Sequence, residues 1–505
     1  MKSTDLTSFW LKELEARPVL TSVLLAIFIR TLALLLGFQD YWGDSHHNLI
    51  MSKLTLDNGL VYSDFKDREL TWLPAFRYWG SLVIWITGSV KLITLNIANS
   101  VLGVVIVGLG TWFVREKKGN RIALLTGTLL ALAPYLIVFS YMNMAEGFGA
   151  LLLLAWVIGV DKNQIALIFI TAFLASLTRY ELSFFLGIST LYLITVSKKK
   201  AFVSTIAGVA VGLSIWSWWS YINTGDFLTW LWMRIESTTL STTYYAEGVN
   251  GFFRFLLLPA LAILQVFPLF FALIWLKKVN VTYKEYSLNM LMGSLILGGL
   301  VFFAYAQTNV IVYPDPRYLV LILPITILWF CMLWGQGFFR TFISKRLVLI
   351  ITVISLFQLI IPYYRQYNLQ PRIDMGIWIH ENLSDADTIW SDNAVSIVLS
   401  DLDIHQFKSS NLLNIAEVSS DTKIEEKLIE SNIEYLTVFP APFTTSYQWY
   451  PELMGSSTFE RNGITFVPVF FYEPYQMQKA SVHDFLRMKF EAAAGSASIW
   501  KLYYD

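Results

Sequence analysis

The stretch PVLTSVLLAIFIRTLALLLGFQDYWGDSHH, residues 18–47, decides how the rest of the chain is read. Residues 18–38 form a nearly unbroken apolar run, and about 20 such residues suffice to cross a hydrocarbon core. A few residues beyond its end stand a carboxylate and two histidines, Asp44, His46 and His47. Ionisable groups at a membrane face are costly to keep there, so they are the first place to look for function. No small-residue cleavage site follows the run, which reads as a retained signal-anchor helix.

Composition extends this reading to the whole chain. Hydrophobic residues make up 55%, aromatics 16% and charged residues only 15%, against about 25% charged in soluble domains. This is the composition of a polytopic α-helical membrane protein. Lys+Arg and Asp+Glu both number 37, so no net charge points to a nucleic-acid partner. The single cysteine, Cys331, excludes an intramolecular disulfide and a cysteine-rich metal site.

Apolar runs recur from residue 18 to 362, and the breaks between them set the topology. Four breaks are basic: Arg115-Glu116-Lys117-Lys118 with Arg121, Lys198-Lys199-Lys200, Lys277-Lys278, and Lys345-Arg346. The positive-inside rule makes them cytoplasmic. Alternation then puts residues 141–147, Arg179-Tyr180-Glu181, 223–250 and 307–318 on the outer face, with Asp44 beside them if the N-terminus is cytoplasmic. Residues 76–114 could hold two crossings, but sidedness demands an odd number. Residues 75–90 therefore read as a juxtamembrane or re-entrant helix and 92–114 as one span, for about 11 spans in all. Beyond Pro362 the chain turns soluble, with helices over 374–382 and 483–493 and strands over 387–390, 433–439 and 463–472. The expected organisation is a membrane module, 1–362, whose first outer loop is 39–75, followed by a small extracytoplasmic α/β domain, 363–505, expected to shape acceptor access rather than chemistry.

Three outer clusters combine acids with arginines, against the usual bias of short outer loops. The first holds Asp44, His46, Arg68, Glu69, Trp72 and Arg77. A carboxylate beside an apolar wall is suited to taking a proton from a hydroxyl. The structural alternative makes Asp44 or Ser45 the cap of a helix over 46–56, and the adjacent histidines leave a divalent metal open. The second cluster is Glu146 with Arg179, Tyr180 and Glu181, a substrate site or a structural salt bridge. The third is Arg317-Tyr318 at the start of a late span, where a guanidinium grips a phosphate or snorkels to lipid.

In order and common sidedness these clusters resemble the GT-C superfamily of membrane glycosyltransferases, which includes protein O-mannosyltransferases and the aminoarabinose transferases that modify lipid A. The resemblance rests on Gly43-Asp44, Trp72-Leu73-Pro74, Met144-Ala145-Glu146, Thr178-Arg179-Tyr180-Glu181 and Arg317-Tyr318 with Pro324. The domain opening near Met375-Gly376-Ile377-Trp378-Ile379 also fits. It implies a sugar donor carried on polyprenyl phosphate, dolichyl or undecaprenyl, and a glycan, lipid or protein acceptor. The catalytic set would be Asp44 as base, with Glu69 and Glu146. Donor phosphate would be held by Arg317, Arg179, Arg77 and Arg68, and substrate by Tyr180, Glu181, Trp72, His46 and Tyr318. Nucleotide sugars are cytosolic, so an outer-face transferase needs such a lipid-borne donor. An inner-membrane or ER-type membrane is the expected location. A transporter or flippase would place helix breaks and charges at the midplane in related halves, and a glycan polymerase or ligase would carry its large outer loop between late spans.

Overall fold

The computed structural model describes residues 13–38, 40, 42–60, 72–196, 198–232, 262–263, 266–267, 283–310, 317–333, 358, 363–391, 393–408, 421–439, 451–473, 475, 481–492 and 496–504. In chain order its helices are α1 (Pro18–Leu35), α2 (Gly43–Asp57), α3 (Ala75–Thr87), α4 (Leu92–Lys118), α5 (Asn120–Leu132), α6 (Pro134–Tyr141), α7 (Ala145–Lys162), α8 (Ile165–Ser176), α9 (Tyr180–Thr195), α10 (Lys199–Thr224), α11 (Tyr283–Val310), α12 (Arg317–Val320) and α13 (Leu323–Leu333). Then come α14 (Gln370–Asn382), α15 (Ala394–Ser400), α16 (Asp421–Glu430) and α17 (Val482–Ala492) among six strands.

The chain divides into two compact units. The first contains residues 1–38, 71–76 and 95–359 and is all helical where described. Among the described residues four helices are long and apolar enough to cross a membrane, and the bent pair α5–α6 makes a fifth. The remaining spans of the sequence count include runs outside the described residues. Small residues set the packing: a Cβ on Gly208 would come 2.6 Å from the Phe169 carbonyl, so α8 and α10 approach backbone to backbone. Trp156 Nε1 donates to Thr205 Oγ1 at 3.0 Å and ties α7 to α10. Pro134 lacks the N–H that would continue α5, and the chain bends by 57° there before running into the turn that opens α7. At the far end of α7, Lys162 pairs with Glu116 at 2.8 Å and Asp161 with Lys117 at 2.6 Å. α7, which carries Glu146 in its first turn and this basic end at its last, is eighteen residues long, about 27 Å, close to a hydrocarbon core.

The second unit contains residues 39–70, 77–94 and 360–505. Its centre is a six-stranded sheet, β1 (Ile389–Trp390), β2 (Phe407–Lys408), β3 (Tyr435–Val438), β4 (Phe459–Arg461), β5 (Ile464–Phe471) and β6 (Ser498–Tyr504), in the order β2-β1-β3-β6-β5-β4. β1 is parallel to β2 and β3, while β3–β6, β6–β5 and β5–β4 are antiparallel. Alternate residues face opposite sides. Trp390, Leu436, Phe466 and Trp500 enter one core, and Ile389, Tyr435 and Ile499 enter another with Ile50, Met51 and Leu54 of α2 and Met375 and Ile379 of α14. Of the first loop expected over 39–75, the described residues 42–60 group with this unit, because the apolar face of α2 is buried against that sheet, while residues 72–75 group with the helical unit. Ser81 Oγ donates to the Ser52 carbonyl at 2.8 Å and holds α3 to α2. The expected gap between residues 90 and 92 falls beside Gly88, whose φ of 65° ends α3.

Candidate functional site

Within the first unit the second and third clusters converge. Met144 is extended before α7 and Arg179 is extended before α9, so Glu146 and Glu181 both stand in first helical turns, where the helix dipole favours anions. Arg179 lies between them. Its Nη1 donates to Glu146 Oε1 at 2.7 Å, and its Nη2 and Nε donate to Glu181 Oε1 and Oε2 at 3.0 and 3.2 Å. The Glu146 side chain is 0% exposed and that of Arg179 15%. The Arg179 guanidinium also lies 5.5 Å from the Tyr318 ring, and that of Arg317 5.0 Å from the same ring. Arg317 Nη2 donates to the Tyr318 hydroxyl at 3.2 Å. Tyr180 points elsewhere and stacks on Trp230 with ring centroids 5.4 Å apart. Trp72 is half-buried.

Two groups here escaped the sequence reading. Asn99 of α4 donates to the Met142 carbonyl at 3.2 Å and to Asn143 Oδ1 at 3.3 Å, fixing the turn ahead of Glu146. Arg30, inside the first apolar run, is 3% exposed. Its Nε and Nη2 donate to Ser140 Oγ at 3.3 and 3.1 Å. The available signal was an arginine in the middle of a span, which needs a buried partner.

Within the second unit, α2 begins at Gly43, capped by no side chain, and Asp44 lies in its first turn. The capping alternative for Asp44 and Ser45 therefore does not describe this helix. His46 is 3% exposed, and its Nδ1–H donates to the Trp42 carbonyl at 3.1 Å. Burial pushes its imidazole down to about 4, with the Arg372 charge acting in the same direction and the Trp42 carbonyl opposing. It is neutral at physiological pH. Arg77 is buried at the start of the part of α3 that belongs to this unit. Arg372 of α14 was not singled out by sequence, since a lone arginine in a soluble helix carries no signal. It lies 4.0 Å from the Phe439 ring, and a Cβ on Gly43 would lie 3.5 Å from its Nη1. Burial pushes its guanidinium down to about 10, against the pull of Asp44.

Glu69 and Arg68 lie outside the described residues. Among the described residues no three His, Cys, Asp or Glu side chains converge as ligands.

The fold, a bundle of apolar helices in one unit and a small α/β sheet domain in the other, is shared with solved structures. No family model and no curated protein matches the sequence. Among solved structures the chain is similar to that of the aminoarabinose transferase ArnT from Cupriavidus metallidurans bound to undecaprenyl phosphate, at 12% identity over 86% of this chain and 95% of that one, with a TM-score of 0.61. It is similar to the apo state of the same protein at 12% identity over 82% and 90%, with a TM-score of 0.54. The Archaeoglobus fulgidus oligosaccharyltransferase follows at 10% identity over 85% and 70%, with a TM-score of 0.47.

Proposed function

We propose that the protein is a GT-C-type glycosyltransferase that moves a sugar from a polyprenyl-phosphate donor to an acceptor hydroxyl on the extracytoplasmic face, with inversion. The observation that carries this reading is the fold shared with ArnT over 86% of the chain, in a structure bound to undecaprenyl phosphate. Asp44 takes the proton of the acceptor hydroxyl as its oxygen bonds to the anomeric carbon. The bond from that carbon to the phosphate oxygen breaks on the opposite face, and polyprenyl phosphate leaves with the electron pair. Arg317 grips the phosphate, because a guanidinium offers paired donors to phosphate oxygens. Arg179 has its donors on Glu146 and Glu181, and in this reading it backs Arg317 rather than sharing the load. No step is routed through a metal.

The membrane module carries about 11 spans in this reading, with the N-terminus cytoplasmic. The basic end of α7 faces the cytoplasm and Glu146 the outside. The test has two arms. Purified protein in lipid is given a panel of undecaprenyl-phosphate monosaccharides, and release of undecaprenyl phosphate is scored; no turnover of any member with any hydroxyl acceptor or water rejects the reaction. In a Cys331→Ser background, Ser456→Cys, on an exposed segment of the C-terminal domain, should react with an impermeant maleimide in intact cells. Labelling only after permeabilisation inverts the topology.

A further inference from the structure

The C-terminal domain, expected to shape acceptor access, places an arginine with a buried guanidinium, Arg372, beside the first turn of the helix bearing Asp44. α2 is not a loop helix resting on that domain: Ile50, Met51 and Leu54 are part of one buried core with Met375, Ile379 and Phe439. The N-terminal turn of α2 is therefore held in register with α14, one turn before Met375. The Arg372 guanidinium lies against that turn, with Nη1 3.5 Å from where a Cβ on Gly43 would stand, an ordinary van der Waals distance. Phe439, from the end of β3, supports the other side of the guanidinium at 4.0 Å. A buried planar cation stacked on one face keeps little freedom.

We propose that Arg372 is a positioning residue that holds the Asp44 carboxylate in place for proton abstraction, so that the C-terminal domain completes the base rather than only lining the acceptor path. This rests on the reading of Asp44 as the base. It follows from the shared core of α2 and α14, the approach of Arg372 to Gly43 and the Phe439 stack. In keeping with it, Asp44 is the acid whose charge opposes the burial of Arg372. A misplacement of about 1 Å in a reacting group costs about 10²-fold in rate, which sets the size of the expected effect.

The experiment is a double-mutant cycle on the full-length protein in lipid, read in two ways. In thermal unfolding, Arg372→Gln lowers the midpoint in the native background and lowers it less beside Asp44→Asn; strictly additive shifts overturn the pairing. In release of undecaprenyl phosphate from the best donor of the panel, Arg372→Gln lowers kcat about 10²-fold while donor KM stays within about twofold. Arg372→Lys recovers part of that loss because it keeps the charge without the planar fork. The double variant is no slower than Asp44→Asn alone. A wild-type kcat for Arg372→Gln, or a double variant slower by the product of the two losses, overturns positioning. Should the Gln variant not fold, Arg372→Lys is read alone, and a wild-type kcat then counts against the proposal. Full activity of Asp44→Asn, or no turnover by the unmodified protein alongside an intact coupling in the melts, would instead overturn the reading of Asp44 on which this rests.

Discussion

Arg179→Gln is the sharpest test of the buried ionic cluster. Its guanidinium stands 2.7 Å from Glu146 and 3.0 Å from Glu181, both of them buried. At an effective dielectric of about 20, each contact contributes about 6 kcal/mol of gross Coulomb attraction, most of it offset by taking three charges out of water. Removing the cation abolishes the attraction and leaves the desolvation of two carboxylates uncompensated, a change worth about 3–5 kcal/mol. Glutamine cannot bridge both acids. The variant should therefore melt well below the parent in detergent, followed by fluorescence-detected size exclusion across a temperature series. Replacing all three charges together, Glu146→Gln with Arg179→Met and Glu181→Gln, should restore much of the lost midpoint, because no charge is then buried alone. An Arg179→Gln protein that melts with the parent would refute the argument, since the acids would then have to be solvated or held by other groups.

Asp44→Asn should fold normally and lose about 10²- to 10⁴-fold in kcat, the usual cost of removing a positioned base; wild-type turnover assigns the proton to another group. Arg317→Ala should raise donor KM about 10- to 100-fold in a titration with undecaprenyl-phosphate sugar, the scale of a lost charge-assisted contact, and unchanged affinity would make this arginine a snorkelling residue. His46 has its pKa pushed down to about 4 by burial, so between pH 6.5 and 4 the unfolded chain binds a proton that the folded one does not. Stability from this residue is complete above the unfolded value, falls by about 3 kcal/mol as pH drops through that window and changes no further below it. Unfolding midpoints of His46→Gln should fall less steeply over the same pH range, and parallel curves would show that the imidazole is not responsible.

How much of this was legible in advance depended on the range of the interaction. The apolar runs of α1 and α4, a break expected between residues 90 and 92 and found at Gly88, and a helix expected over 374–382 and found over Gln370–Asn382, follow from residues close in sequence. So do strands β1, β3 and β5, whose alternation is visible in short windows. β6 was missed, although it pairs with β3 on one side and β5 on the other. A strand at the centre of a sheet is defined by those partners rather than by its own residues. The three charged clusters were found because an acid or arginine at the end of an apolar run stands out against its surroundings. That Glu146, Arg179 and Glu181 share one ion network had to wait for the fold, since 33 residues separate the first pair.

The sequence by itself determined that the chain is a helical membrane protein with a soluble C-terminal α/β part and charged helix starts, because the transfer cost of each residue is a local property. Tertiary structure alone decided which domain owns Asp44. The apolar face of α2 could have been buried against spans or against a sheet, and it is buried with Met375, Ile379 and Phe439. With that choice came Arg372, more than 300 residues later in the chain, as the neighbour of Gly43. Burial of an apolar face is non-directional, so periodicity says that a partner exists, and only the packed fold says which one.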